Sequence, residues 1–231
     1  YNLPKGTWMV VNIGGRGGGK SYEGSKFVTI EATAYNKRVV VLRDEKTSIS
    51  DSILNEIKNR YNEINDKAGG YFDKFFEFNN HELKELINGN KLIFTKGFRA
   101  SSNQKTANLK SISDIDIAII EEFEDITDEM AFNRLTDGIR NKESLIFINS
   151  NIPDMNHWFV KRYFNLSQTD YDGYFELLPK DIPGVVFIIS NYLDNPHLPE
   201  HITRKYLAYG DPLSNFYDQH YYLTQIMGYC S

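Results

Sequence analysis

An eight-residue stretch, residues 14–21, constrains the fold of this chain more than any other feature of its sequence. It contains five glycines, ends in a Lys-Ser pair and fits the pattern G-x-x-x-x-G-K-[ST] at every fixed position. Glycines let the backbone take positive φ, so that successive N–H groups converge on phosphate oxygens. The stretch is therefore predicted to be a phosphate-binding loop, hereafter the P-loop. Its nucleotide-binding residues are expected to be Gly15, Arg16, Gly17, Gly18, Gly19, Lys20 and Ser21.

The residues that flank the P-loop support this prediction. Residues 8–13 are mostly apolar and predict a short strand entering the loop, and residues 21–35 predict a helix leaving it, whose N-terminal dipole favours bound anions. We expect Lys20 to contact the β and γ phosphates of ATP and the Ser21 hydroxyl to coordinate Mg²⁺. The alternative, a flexible glycine linker, requires neither the apolar strand nor the Lys-Ser pair.

Length and composition limit the class of protein. The 231 residues suffice for one α/β domain with a small extension, and we predict an ATPase domain over residues 1–190 and a C-terminal extension over residues 191–231. A formal net charge of −5 argues against a surface that binds nucleic acid over its whole extent, but it permits a local track. No apolar run reaches the length of a membrane span and no signal peptide is evident, so a cytosolic protein without membrane contact is expected.

Strand-like apolar runs alternate with helix-like segments along most of the chain. After the P-loop the runs cover residues 38–43, 115–120 and 144–149. Such alternation predicts a mostly parallel central sheet flanked by helices, followed here by a small C-terminal helical extension.

Two of the predicted helices rest on short-range patterns. The spacing of Leu83, Leu86 and Ile87 predicts a helix with Asn80 as its N-cap. Another helix is expected after the 115–120 strand, with Asp125 or Thr127 as its cap.

An acidic pair, Glu121-Glu122, follows the 115–120 strand directly. A nucleotide-hydrolysing fold needs a strand-end carboxylate that secures Mg²⁺ and another group that activates water. We expect Glu121 to hold the metal and Glu122 to act as general base, which makes the fold an ASCE-type P-loop NTPase and favours hydrolysis over phosphoryl transfer. The alternative is two solvated acids at a helix start, where the helix dipole favours them.

A polar segment follows the next apolar strand, at residues 149–153. Ligands of open parallel sheets bind at the carboxyl ends of strands, so Asn151 is expected to lie beside the γ phosphate. An ordinary Asn/Ser/Pro turn is the alternative.

Together these motifs resemble those of the large terminase subunit, the DNA-packaging motor of tailed bacteriophages. The most specific match is the P-loop with an arginine inside it, and Ile119-Ile120-Glu121-Glu122 agrees with it. Weaker matches follow in the expected order at residues 41–44 with 51–52, at 151–153 leading into 157–158, and at 191–199.

The resemblance implies ATP-driven translocation of double-stranded DNA into a prohead by a homo-oligomeric ring of subunits docked on the portal. It also implies a small terminase subunit as partner, a monomer in isolation, and a location in the cytoplasm of the infected bacterial host. The family carries a C-terminal nuclease, but this sequence stops near Gly228, so we expect a motor domain that does not cut DNA. The family's adenine-contacting segment precedes the P-loop, where only residues 1–5 remain to supply it.

Ring motors of this kind need a positive group from a neighbouring subunit to neutralise transition-state charge. In terminases this group lies shortly before the acidic strand, and Lys110 is nearest to that spacing, although lysine lacks the bidentate fork of arginine. Arg16 is expected to act on the nucleotide of its own subunit. Other basic residues considered for these roles are Lys105, Arg99, Arg43 and Arg140.

Two other classes of function stay open at this point. One is a different P-loop ATPase, either helicase-like or partitioning. The other is a nucleotide-gated assembly module that binds ATP and hydrolyses it negligibly. A zinc site at His197 and His201 is disfavoured, because Pro199 interrupts their helical spacing and no third ligand lies near.

Overall fold

The computed structural model describes residues 3–43, 53–79, 82–97, 114–139 and 143–231. Within these residues the strands are β1 (Met9–Gly14), β2 (Val39–Arg43), β3 (Phe76–Phe78), β4 (Glu82–Glu85), β5 (Lys91–Gly97), β6 (Ile117–Ile120), β7 (Leu145–Ser150), β8 (Phe164–Gln168), β9 (Phe175–Pro179) and β10 (Val185–Ser190). The helices are α1 (Lys20–Tyr35), α2 (Ile53–Lys67), α3 (Glu129–Gly138), α4 (Trp158–Tyr163), α5 (Glu200–Gly210) and the single turn α6 (Gln219–Tyr221), which continues into a π-helix at Tyr222–Met227. Three-residue 3₁₀ helices lie at Phe72–Lys74, Phe123–Asp125 and Tyr192–Asp194.

One large sheet organises the described residues. Its strand order is β10-β1-β7-β6-β2-β5-β4-β3, and every pairing from β10 to β5 is parallel. The predicted α/β fold with a mostly parallel sheet is therefore confirmed. In the parallel register Ile13 lies beside Ser150, and Ile120 lies beside Ile148. The P-loop after β1, the acidic pair after β6 and the polar segment after β7 consequently meet at one edge of the sheet.

The core lies on both faces of this sheet, because successive strand residues point to opposite sides. On one face Met9 and Val11 belong to an apolar cluster with the aromatic rings of α3, α4 and the turn after β6. On the other face Val10 packs in a second cluster with α1 and α2. All six residues of β1 are buried, which matches the continuous apolar strands of a sheet covered on both sides.

The helix predicted after Asn80 is wrong. Residues 82–85 form β4, which pairs antiparallel with β3 and β5, while residues 80 and 81 lie outside the described residues. Leu83 is fully buried between these strands, whereas Leu86 is 50% and Ile87 is 73% exposed. The three apolar side chains therefore do not form the single buried face that their spacing suggested.

The helix after β6 begins later than predicted. Residues 123–125 form a 3₁₀ turn, and α3 starts at Glu129 with Asp128 as its N-cap. The Asp128 carboxylate accepts a hydrogen bond from the Ala131 N–H at 3.1 Å. The predicted caps, Asp125 and Thr127, are therefore wrong.

The C-terminal residues fold back onto the P-loop. The Arg16 N–H donates to the Gln225 carbonyl at 2.7 Å, and Asn195 Nδ2 donates to the Gly17 carbonyl at 2.8 Å. A short hairpin, β8–β9, lies outside the large sheet and was not predicted as a pair. The division of the chain at residue 190 stays a prediction. Within the described residues, none of the helices combines the length and apolar character that crossing a bilayer requires.

Candidate nucleotide-binding site

The P-loop lies between β1 and α1, as the sequence predicted. Gly19 occupies the N-cap position of α1 with φ 80° and ψ 10°, in the left-handed region that favours glycine. Helix α1 has no side-chain cap hydrogen bond, so no capping side chain satisfies the N–H groups of its first turn. A helix start of this kind favours anions through its orphan N–H groups and its dipole.

Lys20 is held inside the loop by backbone carbonyls. Its ammonium donates to the carbonyl of Gly14 at 2.9 Å and to that of Gly15 at 2.6 Å. Burial lowers the pKa of Lys20 from 10.5 to about 8, and the nearby charges of Glu124 and Glu121 oppose this shift. The charged form of Lys20 therefore gains stability from any additional anion placed beside it.

This pKa predicts how ATP affinity depends on pH. A bound triphosphate stabilises the Lys20 ammonium and raises its pKa, so binding takes up a proton once the free protein has lost it above pH 8. MgATP affinity should therefore fall by up to about tenfold per pH unit between roughly pH 8.5 and 9.5, as measured by calorimetric titration. In Lys20→Arg the guanidinium stays charged, and the slope should disappear. Equal wild-type affinities at pH 7.5 and 9.5 would contradict this.

A buried chain of polar side chains positions Glu121 at the end of β6. Glu121 is 7% exposed, and its carboxylate accepts a hydrogen bond from Asn149 Nδ2 at 2.6 Å. The Asn149 amide oxygen accepts in turn from Asn12 Nδ2 at 2.9 Å, and Asn12 Nδ2 also lies 3.3 Å from the Lys20 carbonyl. The chain thus links three strands and the start of α1. Asn12 was not among the predicted site residues, although a lone asparagine inside an apolar strand is an indication of such a network.

Truncating the middle of this chain should destabilise the fold. Asn149→Ala removes the buried hydrogen bonds that this amide makes to the Glu121 carboxylate and to the Asn12 amide, so we expect the free energy of unfolding to fall by about 1–3 kcal/mol in urea denaturation. Asn165→Ala removes the same group from an exposed position on β8 and should change stability by less than about 0.5 kcal/mol. Equal effects of the two substitutions would rule out the buried network as a source of stability.

Glu122 occupies an unusual backbone conformation. Its φ is 51° and its ψ is 48°, in the left-handed region that non-glycine residues seldom adopt. The chain turns there from β6 into the 3₁₀ turn at Phe123–Asp125, whose Phe123 ring packs on Phe159 with centroids 4.6 Å apart. Because strained backbone of this kind concentrates at functional sites, the geometry supports a role for Glu122 beyond capping.

Glu124 connects the segment after β6 to the segment after β7. One of its carboxylate oxygens accepts from Ser150 Oγ at 3.0 Å and from the Asn151 N–H at 3.1 Å, and the other accepts from Asn151 Nδ2 at 2.6 Å. Asn151 was predicted from the sequence, but the carboxylate that holds it was not. Glu124 lies only two residues beyond the acidic pair, and the proximity of a third acid was the available indication.

Two residues at the start of α4, which follows β7, also make side-chain hydrogen bonds to backbone groups. Trp158 Nε1 donates to the Ile126 carbonyl at 2.7 Å, and His157 Nδ1 caps α4 by accepting from the Phe159 N–H at 3.2 Å. Burial lowers the pKa of His157, which favours the neutral ring that this cap requires. The segments after β6 and β7 are therefore joined by side chains at two separate places.

Residues of the P-loop and of the segments after β6 and β7 line one cavity of about 200 Å³, hereafter the γ cavity. Its polar lining residues are Lys20, Ser21, Glu56, Glu121, Glu122, Glu124, Asn149, Ser150 and Asn151. A hydroxyl and carboxylates in one small space are the oxygen ligands that Mg²⁺ takes, usually alongside substrate phosphates and water. Among the described residues no group of three or more His, Cys, Asp or Glu side chains forms a metal cage. The residues present thus fit a Mg²⁺ ion that arrives with a nucleotide.

Among the basic residues expected to act on the nucleotide from within the subunit or from its neighbour, the structure describes the side chain of Arg16. Arg16 is exposed and lines a second cavity at the loop opening. Lys110, the residue predicted to act on a neighbouring subunit, lies outside the described residues, as do Lys105, Arg99, Arg140 and the side chain of Arg43.

Comparisons with known proteins agree with this geometry. The chain matches the family model described as phage terminase large subunit over residues 7–228. No curated protein sequence matches it significantly.

Solved structures show a similar fold. The large terminase of a thermophilic bacteriophage is 14% identical with a TM-score of 0.64, and the match covers 97% of this chain and 48% of that one. The large terminase ATPase domain of Thermus phage P74-26 is 12% identical with a TM-score of 0.62, over 95% of this chain and 87% of that one. The N-terminal domain of the DNA packaging ATPase from bacteriophage phi29 is 16% identical with a TM-score of 0.54, over 82% and 93%. The chain thus spans about half the length of the first of these three proteins.

Proposed function

This chain belongs to the phage terminase large subunit family, and from that premise we propose that it is an ATP-hydrolysing motor domain that drives double-stranded DNA into a prohead. One observation carries the proposal for hydrolysis. The parallel sheet brings the P-loop, the acidic pair and the β7 segment to a single γ cavity, where a triphosphate can meet both a cation and a base.

The chemistry assigns a separate role to each side chain. Lys20 binds phosphate oxygens with its ammonium, while Ser21 and Glu121 would hold Mg²⁺, which would neutralise charge on the phosphates. Glu122 accepts a proton from the attacking water as the water oxygen bonds to the γ phosphorus and the bond to the β–γ bridging oxygen breaks, which releases ADP. Asn151, fixed by Glu124, orients groups at the γ end of the nucleotide.

The motor function needs groups from outside this chain. We propose that subunits form a ring on the portal and that a basic residue of one subunit reaches the γ cavity of the next. Lys110 remains the first candidate for that residue, and Arg16 acts within its own subunit. The γ cavity supports this arrangement, because its lining contains four carboxylates against one lysine and so favours an added positive charge. The small terminase subunit and the prohead complete the proposed set of partners.

Phosphate release in the presence of MgATP tests this proposal. We expect turnover by the chain to rise when linear double-stranded DNA and purified portals are added together. Binding of ATP without phosphate release under all these conditions would favour a nucleotide-gated assembly module instead. Strand separation coupled to turnover would favour a helicase-like ATPase, and a phosphorylated acceptor without free phosphate would exclude hydrolysis.

A further inference from the structure

A second cavity of about 400 Å³ opens beside the γ cavity, on the outer side of the P-loop. It shares Lys20, Ser21, Glu122 and Asn151 with the γ cavity, so the two spaces adjoin at the phosphate-binding residues. The side chains that it adds are of a different kind: Arg16, Tyr22 and Tyr206. The γ cavity has no aromatic lining residue, whereas this outer cavity has two tyrosines.

Tyr206 comes from α5, far from the P-loop in sequence, and packs directly on it. A Cβ built on Gly17 would lie 2.8 Å from Tyr206 Cε2 and 3.0 Å from Tyr192 Cβ, so the glycine leaves room for the tyrosine ring. Gly17 also has a backbone φ of 79°, which residues other than glycine rarely adopt. The lack of a side chain at position 17 therefore allows the Tyr206 ring to lie close to the P-loop backbone.

Several contacts fix Tyr206 in this position. Its ring packs edge-on against Tyr192 with centroids 5.6 Å apart, and the Tyr192 and Tyr222 hydroxyls lie 3.2 Å apart. The hydrogen bond from Asn195 to the Gly17 carbonyl ties the preceding segment to the same loop residue. Burial raises the pKa of Tyr206, so the phenol stays neutral beside the Arg16 guanidinium.

We propose that Tyr206 forms the wall of the nucleoside subsite and contacts the base or ribose of the triphosphate held by the P-loop. This inference rests on the proposed function, since it assumes that the phosphates occupy the loop with the γ end in the γ cavity. The nucleoside then has to leave the loop towards the outer cavity. The γ cavity, with its carboxylate lining, offers no aromatic ring on which a base can stack, whereas the outer cavity offers Tyr206. The C-terminal segment would thus supply a contact that was expected from residues 1–5.

Comparing ATP with inorganic tripolyphosphate isolates the nucleoside contact. Both ligands carry three linked phosphates, but tripolyphosphate has no nucleoside. In calorimetric titrations with Mg²⁺, Tyr206→Leu should bind ATP about tenfold more weakly than wild type, from loss of one stacking contact. Its affinity for tripolyphosphate should stay within about twofold of wild type, which also reports an intact loop. Tyr206→Phe retains the ring and should bind ATP nearly as wild type does.

Tyr209 provides a matched control on the same helix. Its ring packs on Tyr221 with centroids 4.9 Å apart, and it does not line the outer cavity. Tyr209→Leu should therefore leave both affinities unchanged. Wild-type ATP affinity in Tyr206→Leu would overturn the inference, and so would equal losses for ATP and tripolyphosphate, which would indicate a purely structural role. A wild-type chain that binds neither ligand would instead overturn the proposed function, and the subsite with it.

Discussion

Replacing Glu122 by glutamine should lower ATP turnover about a thousandfold while leaving MgATP binding intact, because the amide cannot accept a proton from the attacking water. The shape of the side chain is retained, so the turn at φ 51° and the γ cavity should keep their geometry. Turnover is to be measured as phosphate release at saturating ATP, and binding by calorimetric titration with Mg²⁺. The split between the two quantities identifies a group that acts in the chemical step.

Asp125→Asn is the control for this substitution. Asp125 is an exposed carboxylate three residues further along the same turn, and it does not line the γ cavity. Its replacement removes the same charge from the same segment, so turnover should stay within about twofold of wild type. Full phosphate release by Glu122→Gln would show that Glu122 is not the general base.

Truncating Glu124 to alanine should lower turnover by about ten- to a hundredfold, because the group that orients Asn151 is lost. The substitution leaves two donors of the β7 segment, the Asn151 N–H and Asn151 Nδ2, without the carboxylate that accepts from them, while Ser150 Oγ keeps the Asn151 carbonyl at 2.7 Å. ATP affinity at neutral pH should change far less, since Lys20 and the P-loop amides remain. Glu124→Gln retains one carbonyl acceptor and should recover part of the lost turnover.

The pH dependence of ATP binding reports the effect of the Glu124 charge on Lys20 separately from its hydrogen bonds to Asn151. The Glu124 charge raises the pKa of Lys20 and partly offsets the effect of burial. Removing that charge lowers the pKa of Lys20 below about 8, so the fall in ATP affinity should begin at a lower pH in both Glu124 variants. An unchanged pH profile together with wild-type turnover would exclude Glu124 as a positioning residue.

The parts of the site that the sequence predicted are those encoded within a few residues. The P-loop pattern is contiguous, and Glu121-Glu122 directly follows an apolar run, so short-range rules of strand and motif suffice for both. Asn12 and Glu124 were missed because their roles depend on partners in β7 and just after it, more than twenty residues away in the chain. Only the parallel register of the sheet brings those partners together.

The errors in the fold have the same origin. Leu83, Leu86 and Ile87 have helical spacing, but the burial of Leu83 between β3 and β5 determines the structure of that segment. Tertiary pairing thus outweighs local propensity at this edge of the sheet. The contact between Tyr206 and the P-loop could not be predicted from sequence either, because a segment nearly two hundred residues away covers the loop.

A structure of the chain with Mg²⁺ and a non-hydrolysable ATP analogue tests the central claim most directly. We expect the triphosphate in the P-loop, with Lys20 on the β and γ phosphates, the metal between Ser21 and Glu121, and Glu122 facing the γ phosphate across a water molecule. An analogue bound elsewhere while the P-loop stays vacant would contradict this claim. So would a triphosphate in the loop with Glu121 and Glu122 both turned away from the γ phosphate.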